Sequence, residues 1–441
     1  MNLSFYIAKK VATGSRKSFS RMIIRIAIVA VAVSMTVMVI STALIAGFKN
    51  EISNKIFGFW GHIHITDYSA SYSLLENFNY PISNDEDFYP VVDTTGPIEY
   101  TEFPTFFGQE YPRQTMTKGG IRHIQQFAVM PGLVKSYPRD EQEDIIMEGI
   151  ILKGIAEDYE WDFFNRYLVE GDALVVTPDS IARTVLISQS TANRLKSGVG
   201  DRLEFTFLQD DRRPIVRGLT VTGIFKTGLE EYDKEFALVD IKQIQNIMGW
   251  EPDQIGGFEI FLDNIDDLGP FTDYVHNDVL PGELYAESIR EKMVSLFDWL
   301  DIQDYNEALI LGLMTLVAII NMMTALLILI LERTNMIGIL KALGQNNWSI
   351  RRIFLYYAGY IVVLGLFWGN LIGLGLCWLQ DTFGFVTLDE ESYYLAIAPI
   401  SVNWWVIILL NLGVLLITLI FLIIPSYLVT RVDPVKSIRF K

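Results

Sequence analysis

Four long apolar runs organise this chain, and their spacing is uneven. The first is Met22–Gly47. The other three, Ala308–Leu331, Ile353–Leu379 and Trp404–Val429, are packed into the last third. Each holds about 24–27 residues with almost no charge, enough to cross a hydrocarbon core of about 30 Å at about 1.5 Å per residue. The pattern predicts a membrane α-helical chain with four transmembrane helices, at 22–47, 305–331, 353–379 and 404–429. A polar domain, 48–304, lies between the first and second. Segments 1–21, 332–352, 380–403 and 430–441 remain as leader, two loops and tail. The first run exceeds the apolar region of a secretory signal, and no small-residue cleavage site follows it, so it is expected to stay as a membrane helix.

Charge orients these helices. The leader and the start of the first run carry Lys9, Lys10, Arg16, Lys17, Arg21 and Arg25. The second loop carries Arg333, Lys341, Arg351 and Arg352, and the tail carries Arg431, Lys436, Arg439 and Lys441. Only Glu332 and Asp433 oppose them. The loop 380–403 has Asp381, Asp389, Glu390 and Glu391 and no basic residue. The positive-inside rule then places both termini and the second loop in the cytoplasm, and the polar domain outside. The chain has a net charge of −17, while 48–304 alone carries 45 acidic and 21 basic residues. Such a surface excludes nucleic acid as a partner. The single cysteine, Cys377, lies in the third run, so the outer domain has no disulfide.

Within the outer domain the alternation of apolar residues predicts an α+β fold. Strands are expected at His62–Thr66, Ala173–Thr177, Thr184–Ile187, Leu203–Leu208, Leu219–Phe225 and Phe258–Leu262. Ser188 is placed to cap a helix at Gln189–Leu195. Asp240 is placed to cap Ile241–Met248, with Gly249 as the stop. The Pro-rich stretch Asn79–Pro138 reads as irregular. Phe48–Phe57 continues the first apolar helix without a breaker. Glu283–Asp304 repeats Ala286, Ile289, Met293, Leu296, Phe297 and Leu300 at helical spacing. Together these two segments predict a helical stalk.

Little in the chain carries catalytic chemistry. No G-x-x-x-x-G-K-[ST] occurs, so no P-loop binds ATP here. His62 and His64 have no nearby third ligand, and no metal is expected. Glu230, Glu231 and Asp233 read as a solvated turn. Asn321 reads as an interhelical hydrogen-bonding group. The second loop is different. Met336, Ile337, Ile339, Leu340 and Leu343 form an apolar face too short to span a membrane, with Lys341 among them and Gly344 as the end. That face suits docking onto a protein, or rest on the lipid surface.

The stretch Glu332–Gly344, ERTNMIGILKALG, followed by Ile350–Phe354, IRRIF, resembles the signature of the FtsX-like/MacB-like permeases of ABC transporters. The layout of one span, an extracytoplasmic domain and three spans is similar too. The opening, with its basic leader, its Gly47-Phe48 exit and the strand HIHIT, is similar to the lipoprotein-releasing (Lol-type) permeases. So are ILKGI at Ile151–Ile155 and the stretch Val221–Ile241. Met336 stands where that family commonly has an acid. Phe207–Arg217 falls where some members carry a longer hairpin that recruits a periplasmic chaperone, and it supplies Arg212, Arg213 and Pro214.

The resemblance implies a non-catalytic permease subunit in a bacterial inner membrane. ATP and Mg would sit on a separate ATPase, in two copies, held by Met336, Ile337, Ile339, Leu340, Lys341, Leu343 and Gly344. A second permease copy or paralogue, a lipoprotein cargo and a periplasmic carrier are the other implied partners. Acyl chains need an apolar lining with a wet rim. Met38, Thr42 and Ile45 on the first span, with Met314, Val317 and Asn321 on the second, are expected to supply it. Two other readings stay open: MacB/FtsX-type mechanotransmission for efflux or cell-wall hydrolase control, and a membrane-anchored enzyme.

Overall fold

The computed structural model describes residues 18–70, 79–86, 88–106, 109–137, 145–208 and 213–431. Among the described residues four helices are long and apolar enough to cross a membrane: Met22–Trp60, Val294–Glu332, Asn347–Phe383 and Trp404–Thr430. The chain divides into two compact units. One comprises 1–51, 298–387 and 397–441, and the other 52–297 with 388–396.

The first element, α1 (Ser18–Trp60), runs past Gly47 without a break. Ten strands then make the sheet of the second unit: β1 (Ile63–Asp67), β2 (Ile121–Ser136), β3 (Ile146–Ile155), β4 (Leu168–Gly171), β5 (Thr184–Ser188), β6 (Arg202–Phe207), β7 (Ile215–Phe225), β8 (Phe236–Asp240), β9 (Gly257–Leu262) and β10 (Leu284–Ser288). Their order is β6-β7-β5-β8-β3-β2-β9-β1-β10, with β4 on β7. Strand β6 also pairs with β2, so six strands close on themselves while β9, β1 and β10 extend outward from β2. The β5–β7 and β3–β8 pairs are parallel.

The length of β2 makes this arrangement possible. Its residues 121–127 pair with β9, and Leu133–Lys135 pair with β6. Pro131 sits between the two partner segments, where neither neighbour needs its missing N–H. The expectation of irregular chain through Asn79–Pro138 fails here, because the prolines masked a strand that changes partners.

Local caps follow the sequence. Ser188 Oγ accepts from Thr191 N at the start of α2 (Gln189–Leu195). Asp240 accepts from Lys242 N at the start of α3 (Ile241–Met248), and Gly249 ends it at φ 72°. Three expectations are corrected. Ala173–Thr177 joins no ladder and keeps only a lone bridge from Thr177 to Ser180. Glu230–Glu235 is a short helix, and Asp233 is buried, not solvated. Its carboxylate accepts from Thr227 Oγ1 at 2.7 Å and Gly228 N at 3.0 Å. Glu283–Asp304 is not one helix. Leu284–Ser288 is strand β10, Ser288 and Glu291 form a capping box at α4 (Ile289–Lys292), and α5 (Val294–Glu332) starts afresh after Met293. Leu284, Ala286 and Ser288 are buried at a spacing of two, which the helical reading absorbed.

The segment 388–396 belongs to this unit. Lys226 Nζ meets Glu390 Oε2 at 2.6 Å, and Lys55 Nζ donates to the Tyr394 carbonyl at 3.1 Å.

The membrane unit adds α6 (Thr334–Ala342), α7 (Asn347–Phe383) and α8 (Trp404–Phe421) to α1 and α5. Gly365, Gly369 and Gly373 of α7 lie against α1. A Cβ at Gly369 would fall 2.6 Å from Met35 Cβ, and one at Gly365 2.7 Å from Val31 Cβ. Small residues at this spacing let two helix backbones approach closely in lipid. Thr36 Oγ1 donates to the Gly369 carbonyl across the same seam. Asn370 of α7 and Asn411 of α8 exchange amide hydrogen bonds at 2.7 and 3.1 Å. The α1–α5 pair is also marked: Phe48 and Trp299 meet edge to face at 5.5 Å, and Lys49 bridges Asp304 at 2.7 Å.

Candidate functional site

The helix α6 is built by its two ends. Arg333 departs from helical angles and separates it from α5. At the far end Gly344 takes φ +83°, a left-handed geometry that favours glycine, and Gln345 N returns to the Leu340 carbonyl. Asn346 then caps α7 by accepting from Trp348 N. The result is a nine-residue helix held between two long ones.

The residues expected to dock an ATPase do not share one environment. Ile337 is fully buried in the membrane-unit core, and Met336 and Leu340 pack against it. Lys341 Nζ donates to the Thr430 carbonyl at 3.1 Å, anchoring α6 to the chain after α8. Ile339 is 48% exposed and Leu343 77%. Inward and outward residues therefore divide the helix: Met336, Ile337 and Leu340 fix it, while Ile339 and Leu343 face out. Sequence reasoning passed over Trp348, which is 44% exposed and lies under the guanidinium groups of Arg351 and Arg352 at 5.3 and 5.2 Å. Its signal was available: a large aromatic two residues after a capping Asn, followed by two arginines.

The six residues assigned to a cargo lining are split as well. Met38, Thr42 and Ile45 are buried in the membrane unit. Met38 Sδ accepts from Thr315 Oγ1 at 3.8 Å, so this face of α1 does meet α5. Thr42 Oγ1 is buried without a hydrogen-bond partner among the described residues. Val317 is 42% exposed, whereas Met314 packs against the core cluster. Asn321 is half-buried, and among the described residues no side-chain hydrogen bond joins it to another helix, so the interhelical bond expected of it is not made within this chain. The Asn370–Asn411 pair carries that role instead.

At the outer hairpin, Phe207 and Ile215 are the last paired residues. Arg213 and Pro214 are exposed, and Arg212 lies outside the described residues. His62 and His64 are both spent on the fold. His62 Nδ1 accepts from Leu262 N and the ring stacks on Phe57 at 4.6 Å. His64 Nε2 donates to the Trp60 carbonyl at 2.6 Å. Among the described residues no group of three or more His, Cys, Asp or Glu is placed to hold a metal.

With α5 to α8 in place, residues 308–434 match the family described as FtsX-like permease C-terminal. Residues 308–434 are thus similar to an FtsX-like permease domain, in a chain with helices of membrane-spanning length. Along most of its length it is also similar to proteins of one named system. It is 20% identical to the lipoprotein-releasing system transmembrane protein LolC of Xylella fastidiosa strain 9a5c, over 97% of this chain and 96% of that protein. It is 22% identical to LolE of the same system from Haemophilus influenzae, over 99% of both chains. Among solved structures, the extracellular domain of the noncanonic ABC-type transporter YknZ aligns with a TM-score of 0.27 at 15% identity. That alignment covers 38% of this chain and 81% of that one.

Proposed function

We propose that this chain is the permease subunit of an ABC transporter that releases lipoproteins from a bacterial inner membrane. The similarity to lipoprotein-releasing transmembrane proteins over nearly the whole chain carries this reading. ATP is hydrolysed by a separate ATPase, in two copies, with Mg bound there. The outward face of α6, Ile339 and Leu343 with Trp348 beside it, is the docking surface. A short exposed apolar face flanked by arginines suits a protein groove, and the buried half of α6 ties whatever moves it to the helix core.

Both termini lie in the cytoplasm, a reading supported by the distribution of basic residues. A second permease copy or a paralogue completes the assembly. ATP-driven closure shifts α1 and α5, which bound the outer domain in sequence, and their seam at Met38 and Thr315 opens to acyl chains. Met38, Thr42 and Ile45 then line one wall and Met314, Val317 and Asn321 the other. Arg213 and its hairpin meet a periplasmic carrier.

The test is photocrosslinking from position 42 in membranes of the native host. Crosslinks to triacylated lipoproteins that disappear when ATP is trapped support the proposal. Crosslinks only to α5 at every nucleotide state contradict the cargo site.

A further inference from the structure

Two motifs singled out by sequence, HIHIT and ILKGI, are left unused by the docking and cargo assignments. The structure brings them together under the end of α1. Strand β1 carries His64, whose register partners are Glu259 on β9 and Glu287 on β10. Glu259 in turn pairs with Gln125 on β2. Gln125, Glu259, His64 and Glu287 thus form one polar row across four adjacent strands. Two lysines close it. Lys153 of ILKGI meets Glu259 Oε1 at 2.7 Å, and Lys292 of α4 meets Glu287 Oε2 at 3.6 Å. Lys153, Glu259 and His64 are completely buried.

A fully buried ion pair is costly to assemble, and hydrophobic replacements of similar volume are often no less stable. Its presence here points to a geometric role, and its contacts show which geometry. Lys153 Nζ also donates to the Phe59 carbonyl, and it lies over the rings of Trp60 at 4.8 Å and Phe59 at 5.1 Å. His64 takes the next carbonyl, Trp60 O. These two carbonyls are among the last of α1, where the helix dipole is negative and its acceptors lack intrahelical partners. Gln125 holds the other oxygen of Glu259 at 2.7 Å and accepts from Glu160 N at 3.0 Å, so the carboxylate cannot rotate away. At the other helix, Ile289 N bonds the His62 carbonyl at 3.0 Å, and Phe57 meets Phe297 at 5.6 Å.

We propose that Lys153, Glu259 and His64, with Gln125 behind them, are positioning residues that lock the outer end of α1 to the β-sheet, so that rotation or tilt of the helix turns the outer domain as one piece. The proposal rests on the transport reading above. Lys292 and Glu287 make the matching joint at the start of α5. Apolar packing alone would hold the helix end in place but would let it roll. A fork of the Lys153 ammonium and the neutral His64 N–H that grips two successive carbonyls fixes its rotation as well.

The test uses the full chain with its ATPase in proteoliposomes. The variant Lys153→Met/Glu259→Met removes both charges at similar volume. Lys153→Met alone strands Glu259 and is expected to lower the melting temperature, whereas the double variant is expected to keep it. Spin labels at the exposed Asn54 on α1 and Glu170 on β4 report the joint directly. The wild type is expected to give one narrow distance distribution that survives ATP trapping. The double variant is expected to give a broadened one, with stimulated ATP hydrolysis retained and lipoprotein release per ATP reduced about tenfold. A narrow distribution in the double variant overturns the joint. A broad distribution with undiminished release per ATP overturns its role in transmission. A wild-type complex that hydrolyses ATP and releases no lipoprotein overturns the transport reading instead, and the distance distributions then decide the joint alone.

Discussion

Helix α1 is held in two places by opposite means. In the membrane unit it lies against Gly365, Gly369 and Gly373 of α7, and the seam is made of close backbones and small side-chain surfaces. At its outer end it is gripped by Lys153 and His64 through two carbonyl oxygens. The first contact is van der Waals packing with a single cross-seam hydrogen bond from Thr36. The second is directional and fully buried. A glycine seam holds two helices by close, non-directional packing and tolerates nothing bulky. A buried charge network tolerates almost no displacement, because each lost contact leaves a desolvated charge. On the proposed transport reading, α1 moves at the seam and is fixed at the joint.

The seam breaks most severely. In Gly369→Leu the new side chain starts 2.6 Å from Met35 Cβ and 2.7 Å from the Ala32 carbonyl. Backbone must move, at a cost of about 3 kcal/mol or more. The expected result is poor expression and loss of the assembled complex on size exclusion. Gly375→Leu, with open space around it, should express normally. Equal behaviour of the two variants would remove the seam from the account.

The joint end of the domain should respond to acid. Burial, helped by the positive charge of Arg122, pushes the His62 imidazole down to about 3, and burial lowers His64 as well. Both are neutral in the fold and protonate near pH 6.5 when unfolded. Their stabilising contribution is therefore complete above pH 6.5 and is lost as pH falls toward the depressed folded value, at up to about 1.4 kcal/mol per pH unit for each. Asp158 acts the other way. Burial pushes its carboxyl up to about 6, so below that value it favours the fold and offsets part of the loss. The unfolding temperature of the outer domain within the full chain should begin to fall near pH 6.5 and keep falling below pH 6, because the two histidines lose more than Asp158 returns. His62→Asn keeps an acceptor for Leu262 N and should shallow that slope. An unchanged slope would place the titration elsewhere.

The smallest effect is expected at the amide pair. Asn370→Val leaves Asn411 without its reciprocal partner and should cost about 1 kcal/mol, the usual size of such a bond in membranes. Replacing both by Val should recover most of it in a thermal-shift assay. A larger loss in the double variant would show that the pair does more than hold α7 to α8.

Much of this was legible in the sequence for identifiable reasons. The four spans, the caps at Ser188 and Asp240 and the ends of α6 are written in local residue types, and those signals do not depend on tertiary partners. Strand β2 was hidden because Pro131 is tolerated only where a strand changes neighbours, a fact fixed by β6 and β9. Strand β10 was hidden because Ala286 fits both the spacing of two it shares with Leu284 and Ser288 and the helical face it shares with Ile289 and Met293. Within α6 the apolar residues were visible, but not their division into Ile337 inward and Leu343 outward, which depends on the supporting core. The polar row was beyond reach for the same reason: Gln125, Glu259, His64 and Glu287 are far apart in sequence and meet only through strand register.

The central claim is that the outward face of α6 receives work done by an ATPase and that the helices pass it to the outer domain. Leu343→Asp tests it most directly, because that side chain is 77% exposed and its loss should leave the fold intact within about 0.5 kcal/mol. The measurement is ATP-dependent release of a lipoprotein from proteoliposomes holding the permease and its ATPase. The account predicts release by the wild type and none by Leu343→Asp, with the variant folded, inserted and no longer stimulating ATP hydrolysis. Undiminished release by a folded Leu343→Asp variant would contradict it.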